Sequence, residues 1–316
     1  MEIRHQAVKE FALWIASNPL PGRHRRGSEN TLKGYIGDLG LFANWFKQST
    51  GLDLGAETLT PDDIQDYISH AQTVEGKKTA TILRYFAAIR AYALYLLQTD
   101  ERITSDLTTG IRLPRQEQAT KRGLRRLERL AIARVFAVPW KNTEKAKQRL
   151  IRNKAIIFVG MFIGLRLDEV ASLKLKDTYI IKNSTSSYIQ VLEGKGNRVR
   201  TVGVPQKARD ALLEWLTLRE ELKQEDGIEH DYLFTQIKKG YMPLGIRAFQ
   251  RIAVKVGERA GIEDLTYHIL RHTAVRVWRK KTDDRTTAAQ MGHSIATMQK
   301  YDALRESDVL EAASKF

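Results

Sequence analysis

Ser187-Tyr188-Ile189-Gln190-Val191-Leu192-Glu193 and Arg198-Val199-Arg200-Thr201-Val202-Gly203-Val204, joined by Gly194-Lys195-Gly196-Asn197, decide how this chain folds. Both runs are β-branched and partly alternating, and small, polar residues separate them, so the pattern predicts a hairpin with Lys195 at its tip. A shorter β-branched run, Tyr179-Ile180-Ile181, precedes it. Outward from the hairpin the period becomes helical. Upstream it runs over Leu124, Leu127 and Leu130 and over Ile156, Phe158, Val159 and Phe162 as far as Gly164; downstream it holds almost to the end, through Ala211, Leu212, Trp215 and Leu218, then Ile246, Phe249 and Ile252, then Val275 and Trp278. The expected fold class is mainly α with a small antiparallel β-sheet.

The amino-terminal third is helical throughout. Leu32, Tyr35, Ile36, Leu39, Phe42 and Phe46 form one stripe, and Ile82, Tyr85, Phe86, Ile89, Ala93 and Leu96 form another that ends near Thr99-Asp100. Thr60-Pro61-Asp62-Asp63 places a capping hydroxyl, a first-turn proline and acidic residues where a third helix should start. With the stretch around Phe11, Trp14 and Ile15 this predicts a four-helix bundle. Between Ile111 and Gly123 the periodicity stops in a polar, basic connector. The expected organisation is therefore a helical domain over 1–110, a linker over 111–123, and a second domain over 124–316 whose last stretch, with Leu304, Val309, Leu310 and Ala313, is a tail helix.

The chain has 316 residues, 42% of them hydrophobic, and no cysteine. Disulfides and Cys-ligated zinc or iron–sulfur sites are excluded, which suits a reducing interior. Arg4, Lys9 and Glu10 interrupt the first apolar stretch, which excludes a signal peptide there, and no segment approaches the ~20 apolar residues of a membrane span. We expect a soluble, cytoplasmic protein with no membrane partner. Its 52 Lys+Arg against 37 Asp+Glu give a formal charge of +15, which points to a polyanion. Residues 1–110 hold 12 basic and 13 acidic side chains, whereas 111–316 hold 40 and 24, so the surplus belongs to the carboxy-terminal two thirds.

Neither a Walker loop nor GxGxxG is present. His268 and His272 stand four apart, but an arginine lies between them and no glutamate of the HExxH kind accompanies them, so a zinc site is not expected. The stronger pattern is distributed: Gly164-Leu165-Arg166-Leu167-Asp168-Glu169, Gly194-Lys195-Gly196-Asn197, His268-Ile269-Leu270-Arg271-His272, Met291-Gly292-His293, and Tyr301. Singly, Arg166 reads as a helix-start arginine, Lys195 as a solubilising turn residue and Tyr301 as a half-buried aromatic. Their order and the hairpin position of the lysine must coincide for the joint pattern.

Over most of its length the sequence resembles the tyrosine recombinase, or phage-type integrase, family, with Xer-like and Cre-like members. The resemblance implies a SAM-like, helical core-binding domain followed by an α+β catalytic domain, and a catalytic set of Arg166, Lys195, His268, Arg271, His293 and Tyr301. It further implies a site-specific recombinase that cleaves and rejoins strands through a 3′-phosphotyrosyl intermediate, acting as a homotetramer on two double-stranded DNA recombination sites, with no cofactor and no metal. The residue types suit that chemistry. Two guanidiniums can clamp the nonbridging oxygens as charge builds on them. A phenol with an ordinary pKa of about 10 needs a proton acceptor, for which His268 is the candidate. Lys195 suits protonation of the departing 5′ oxygen and His293 a hydrogen bond to the phosphate, and the resemblance gives Glu169 the acidic position that orients the arginine and histidine. Tyr301 follows His293 by eight residues, one fewer than is usual in the family, and Tyr267 stands where relatives often have proline.

Candidate DNA contacts outside this set are Arg25 and Arg26, Lys77 and Lys78, Arg84, Arg90, and in the linker Lys121, Arg122 and Arg125. Two alternatives remain at this stage: a type IB topoisomerase-like enzyme using the same phosphotyrosine chemistry on any duplex, and a non-catalytic DNA-binding protein. The charge distribution predicts that DNA affinity of residues 111–316 falls more steeply with salt than that of residues 1–110. Binding by each domain at two salt concentrations tests this, and equal slopes would contradict it.

Overall fold

The computed structural model describes residues 4–20, 27–115, 122–184, 186–193, 198–226, 231–237 and 242–293. The chain divides into two units, Met1–Gln118 and Ala119–Phe316.

The first unit holds α1 (Gln6–Ser17), α2 (Glu29–Thr50), α3 (Pro61–Thr73) and α4 (Thr79–Thr99), and side-chain caps set the starts of α2 and α3. Ser28 accepts the Thr31 amide at 3.3 Å to start α2, and Gly51 closes it in the left-handed region at φ +73°. At α3, Thr60 and Asp63 cap each other reciprocally: the Thr60 amide donates to the Asp63 carboxylate at 2.9 Å, and the Asp63 amide donates to the Thr60 hydroxyl at 3.3 Å. The apolar stripes meet in one core of Phe11, Ile15, Phe42, Phe46, Ile64, Tyr67, Ile82, Ile89 and Tyr92. By length and mean hydropathy (1.2) α4 could cross a membrane, contrary to the sequence expectation. Its buried residues, including Ile82, Ile89 and Tyr92, are instead spent on the bundle core.

The second unit begins with α5 (Arg126–Val135) and α6 (Glu144–Phe158), followed by a π-helix over Val159–Ile163 and by α7 (Leu167–Ser172). A three-stranded antiparallel sheet in the order β1 (Thr178–Tyr179), β2 (Tyr188–Glu193), β3 (Arg198–Gly203) comes next, and then α8 (Gln206–Asp226), α9 (Ile246–Ala260), α10 (Tyr267–Arg279) and α11 (Asp284–Met291). Tyr188 opposes Gly203 and Glu193 opposes Arg198, so the predicted hairpin is present. Its turn, 194–197, lies outside the described residues. Ile189, Val191, Val202 and Val204 are buried, while the facing pair Leu192 and Val199 is exposed.

Two stretches depart from the sequence expectation. Helix α6 continues as a π-helix, in which the Gly164 amide reaches back to the Val159 carbonyl at 3.0 Å. After α8 the described residues 231–237 are not helical but form bends and isolated bridges, because their backbone pairs elsewhere: Leu175 N–H donates to Asp231 O at 2.7 Å, Leu233 N–H to Leu173 O at 2.8 Å, and Thr235 bridges Pro243. Trp215 fastens this segment from α8. Its ring is fully buried beside Phe234, and its indole N–H donates to Leu233 O at 2.9 Å. Trp215→Ala should therefore cost the second unit about 3–5 kcal/mol, measured by urea unfolding, through cavity formation and an orphaned carbonyl. A loss well below that range would mean the site collapses around the missing ring.

Candidate active site

Arg166 is the residue before α7, released from the preceding π-helix by Gly164, which sits at φ +81°. No other residue type fits there: a Cβ on Gly164 would stand 2.6 Å from Met291 Sδ and 2.8 Å from Ala274 Cβ. Three residues into α7 comes Glu169, on the helix's buried face. Thr266 caps α10, which presents His268 toward solvent and buries Arg271 one turn later. Gly292 ends α11 at φ +60°, and His293 follows.

Residues 166, 268, 271 and 293 line one cleft of about 550 Å³, together with Leu167, Asp168, Gln250, Val254, Thr266 and Tyr267. The two arginines cap helix ends from outside. Arg166 Nη2 donates to Gly292 O at 2.6 Å, Arg271 Nη2 to Met291 O at 2.6 Å, and Arg271 Nη1 to Gly164 O. These carbonyls have no partner within their own helices, so the guanidiniums satisfy them while adding positive charge at the negative end of α11. Arg271 Nη2 also lies 2.7 Å from His293 Nε2. A guanidinium can only donate, so that nitrogen accepts. The rings of His268 and His272 meet edge to face, 4.2 Å between centroids.

Glu169 organises the arginines. Its Oε1 accepts from Arg166 Nη1 and Arg200 Nη1, both at 2.9 Å, and its Oε2 accepts from the Arg166 backbone amide at 2.7 Å and Arg200 Nη2 at 2.9 Å. Arg271 Nη1 stands 3.9 Å from the same Oε2. Burial alone would push this carboxyl up, but the hydrogen bonds from Arg200 and Arg166 outweigh it and hold the group below its ordinary value.

Sequence reasoning missed Arg200. The signal was present: Arg200 shares its strand face with the buried Val202 and Val204, and a cation on an inward face needs a counter-ion. It also missed the outer face of α9. Arg247, Arg251 and Lys255 recur there every four residues, exposed and without an ion pair among the described residues, along a groove of about 630 Å³. Gln250 and Val254 line both that groove and the cleft.

Of the other expected residues, Lys195, Tyr301, Arg25, Arg26 and Lys121 lie outside the described residues, as does the tail helix. Lys77 pairs with Glu75, Arg84 with the buried Asp38 at 3.1 Å, and Arg90 approaches Asp106 at 4.0 Å. Lys78 precedes α4 and is exposed. Arg122 is bound to Glu128 and Asp264, and the Arg125 amide caps α5 through Glu128. Tyr267 is buried with its ring over Gly160, and burial pushes its phenol far up, which leaves it unsuited to act as a nucleophile.

Residues 140–307, more than half of the chain, match the phage integrase family, and residues 23–100 match the phage integrase N-terminal SAM-like domain. The chain therefore belongs to the phage integrase family and is a tyrosine recombinase. Among its relatives is the tyrosine recombinase XerD of Listeria monocytogenes serotype 4b (strain F2365), 27% identical over 279 residues that cover 87% of this chain and 88% of the relative. The fold is similar to that of XerH site-specific recombinase bound to a palindromic difH substrate, with a TM-score of 0.71 and 19% identity, covering 99% of this chain and 98% of that one. It is also similar to a lambda integrase tetramer bound to a Holliday junction, with a TM-score of 0.65 and 14% identity over 95% and 78% of the two chains.

Because the Glu169 carboxyl is held below its ordinary 4.5, its contribution to stability is complete above that pH and is lost as the pH falls through the lower folded value. Urea unfolding between about pH 5 and about pH 3 should show the second unit weakening, and Glu169→Gln should flatten that dependence. An unchanged slope in the variant would assign the acid sensitivity to other carboxyls.

Proposed function

We propose that this protein recombines DNA at specific sites, with Tyr301 as nucleophile and the cleft lined by α7, α9, α10 and His293 as the seat of the scissile phosphate. What supports this most is the convergence of Arg166, His268, Arg271 and His293 on one cleft. The phosphate fits between the two arginines, whose guanidiniums are already fixed by backbone carbonyls. Fixed donors need little reorganisation as charge develops on the nonbridging oxygens.

In the proposed reaction the Tyr301 oxygen attacks phosphorus while its proton passes to His268. The bond to the 5′ oxygen breaks, and Lys195 supplies that oxygen's proton. His293 contributes a hydrogen bond to the phosphate. The products are a 3′-phosphotyrosine and a free 5′ hydroxyl, and attack by a 5′ hydroxyl from the second site reverses the step. The phosphodiester energy is retained in the tyrosyl ester, so no nucleotide cofactor enters and Lys195, His268 and the arginines carry the charge and proton movements.

In this reading residues 1–110 form the core-binding domain, 111–123 the linker and 124–316 the catalytic domain. The DNA runs from the cleft along α9, where Arg247, Arg251 and Lys255 meet phosphates. The assembly is a homotetramer on two sites, by analogy with the lambda integrase tetramer on a Holliday junction, and the protein works on DNA inside the cell.

Nicked duplexes with a randomised core, incubated with the protein and recovered as SDS-resistant adducts, should yield a defined site. Tyr301→Phe should form no adduct on that site. The reading fails if the wild type traps no duplex or if the adduct survives in the variant, and capture of every sequence equally would favour topoisomerase-like action over site-specific exchange.

A further inference from the structure

We propose that Arg200 is a positioning residue that keeps Arg271 facing the scissile phosphate by occupying the Glu169 carboxylate that would otherwise capture it. The inference deepens the recombinase reading above and rests on it.

A carboxylate offers about four lone-pair sites. At Glu169 all four are filled, two of them by Arg200 and two by Arg166 through its side chain and its backbone amide. Arg271 is the next donor, 3.9 Å from Oε2 and too far for a hydrogen bond. Its own nitrogens are turned to Gly164 O, Met291 O and His293. Without Arg200, two acceptor sites on a buried anion would stand empty beside a buried cation only 3.9 Å away. In a desolvated setting that attraction is strong, and Arg271 would close on the carboxylate.

Charge leads to the same assignment. Arg166, Arg200 and Arg271 surround a single buried carboxylate, which leaves a surplus of two positive charges for a phosphodiester that gains negative charge during attack. Asp168 also lines the cleft, but it is exposed, so solvent screens it. Removing Arg200 halves the surplus. The guanidinium is also in a fixed place: it is only 10% exposed, and it lies against Gly292, where an added Cβ would stand 2.8 Å from Arg200 Cζ. Gly292 is the residue whose carbonyl anchors Arg166, so one packed contact joins β3 to both arginines.

The test measures single-turnover cleavage of the suicide duplex recovered by the wild type, with thermal unfolding followed in parallel. Arg200→Met should cleave about 10–100-fold more slowly, the range expected when an outer partner of a reactive group is lost. Arg200→Lys, which supplies a single-point donor, should fall between the two. A neutral methylphosphonate at the scissile position should narrow the gap between wild type and Arg200→Met.

The inference is overturned if Arg200→Met cleaves at the wild-type rate, or if methylphosphonate leaves its gap to the wild type unchanged. It is also overturned if the gap narrows with sulfur at the 5′ bridging position but not with methylphosphonate, since that result would assign Arg200 to protonation of the leaving group. Should Arg200→Met not unfold cooperatively, the Arg200→Lys comparison decides, on the native phosphate and on methylphosphonate. Failure of the wild type to cleave at all would count against the recombinase reading itself.

Discussion

A buried carboxylate with three arginines around it is the constraint on which the second unit is arranged. Glu169 is 7% exposed, so its charge cannot be left to solvent, and each guanidinium that answers it comes from a different element. Arg166 stands at the entry to α7, Arg200 on the inward face of β3, and Arg271 within α10. The carbonyl ends of α11 and of the π-helix accept further hydrogen bonds from Arg166 and Arg271. Gln290 adds a neutral tie of the same kind, exchanging hydrogen bonds with the Gly203 backbone at 2.9 and 3.1 Å. Sheet and helices are held in register by polar groups that would each be costly to leave unmade.

Much of this arrangement was legible in the sequence, for identifiable reasons. The hairpin register follows from alternation, because slipping by one residue would expose Ile189 and Val202 and bury Leu192 and Val199. The start of α3 was written in Thr60, Pro61 and Asp63, which act within one turn. Arg166, His268, Arg271 and His293 stand out only jointly, by their order along the chain and the family resemblance, and the structure brings the four to one cleft. The acceptors that hold the arginines were not, since they are backbone carbonyls of Gly164, Met291 and Gly292 and leave no side-chain trace. The cations of α9 were not legible either: in one dimension Arg247, Arg251 and Lys255 look like any solvated helix face.

Local pairing also decides which of the cations contribute to the field around the protein. In the first unit Lys77, Arg84 and Arg90 each have an acidic neighbour, Arg84 a buried one. Arg122, at the start of the second unit, is likewise engaged by Glu128 and Asp264. Along α9 the cations have no ion pair among the described residues. Paired charges fix local structure and contribute little field at a distance, whereas unpaired ones along a groove contribute most of it.

The π-helix over Val159–Ile163 constrains the chain in a way that differs from every side chain discussed. Such a helix accommodates one residue more than the α-helix it interrupts, so its presence is a matter of how many residues lie between α6 and Gly164. Many apolar substitutions at Val159 or Ile163 could keep the wider turn. A regular α-helix given that extra residue would carry Gly164 and everything after it round by about 100° about the helix axis, and the wide turn absorbs the residue locally instead. Along this stretch the wide turn is a matter of residue count rather than of residue identity.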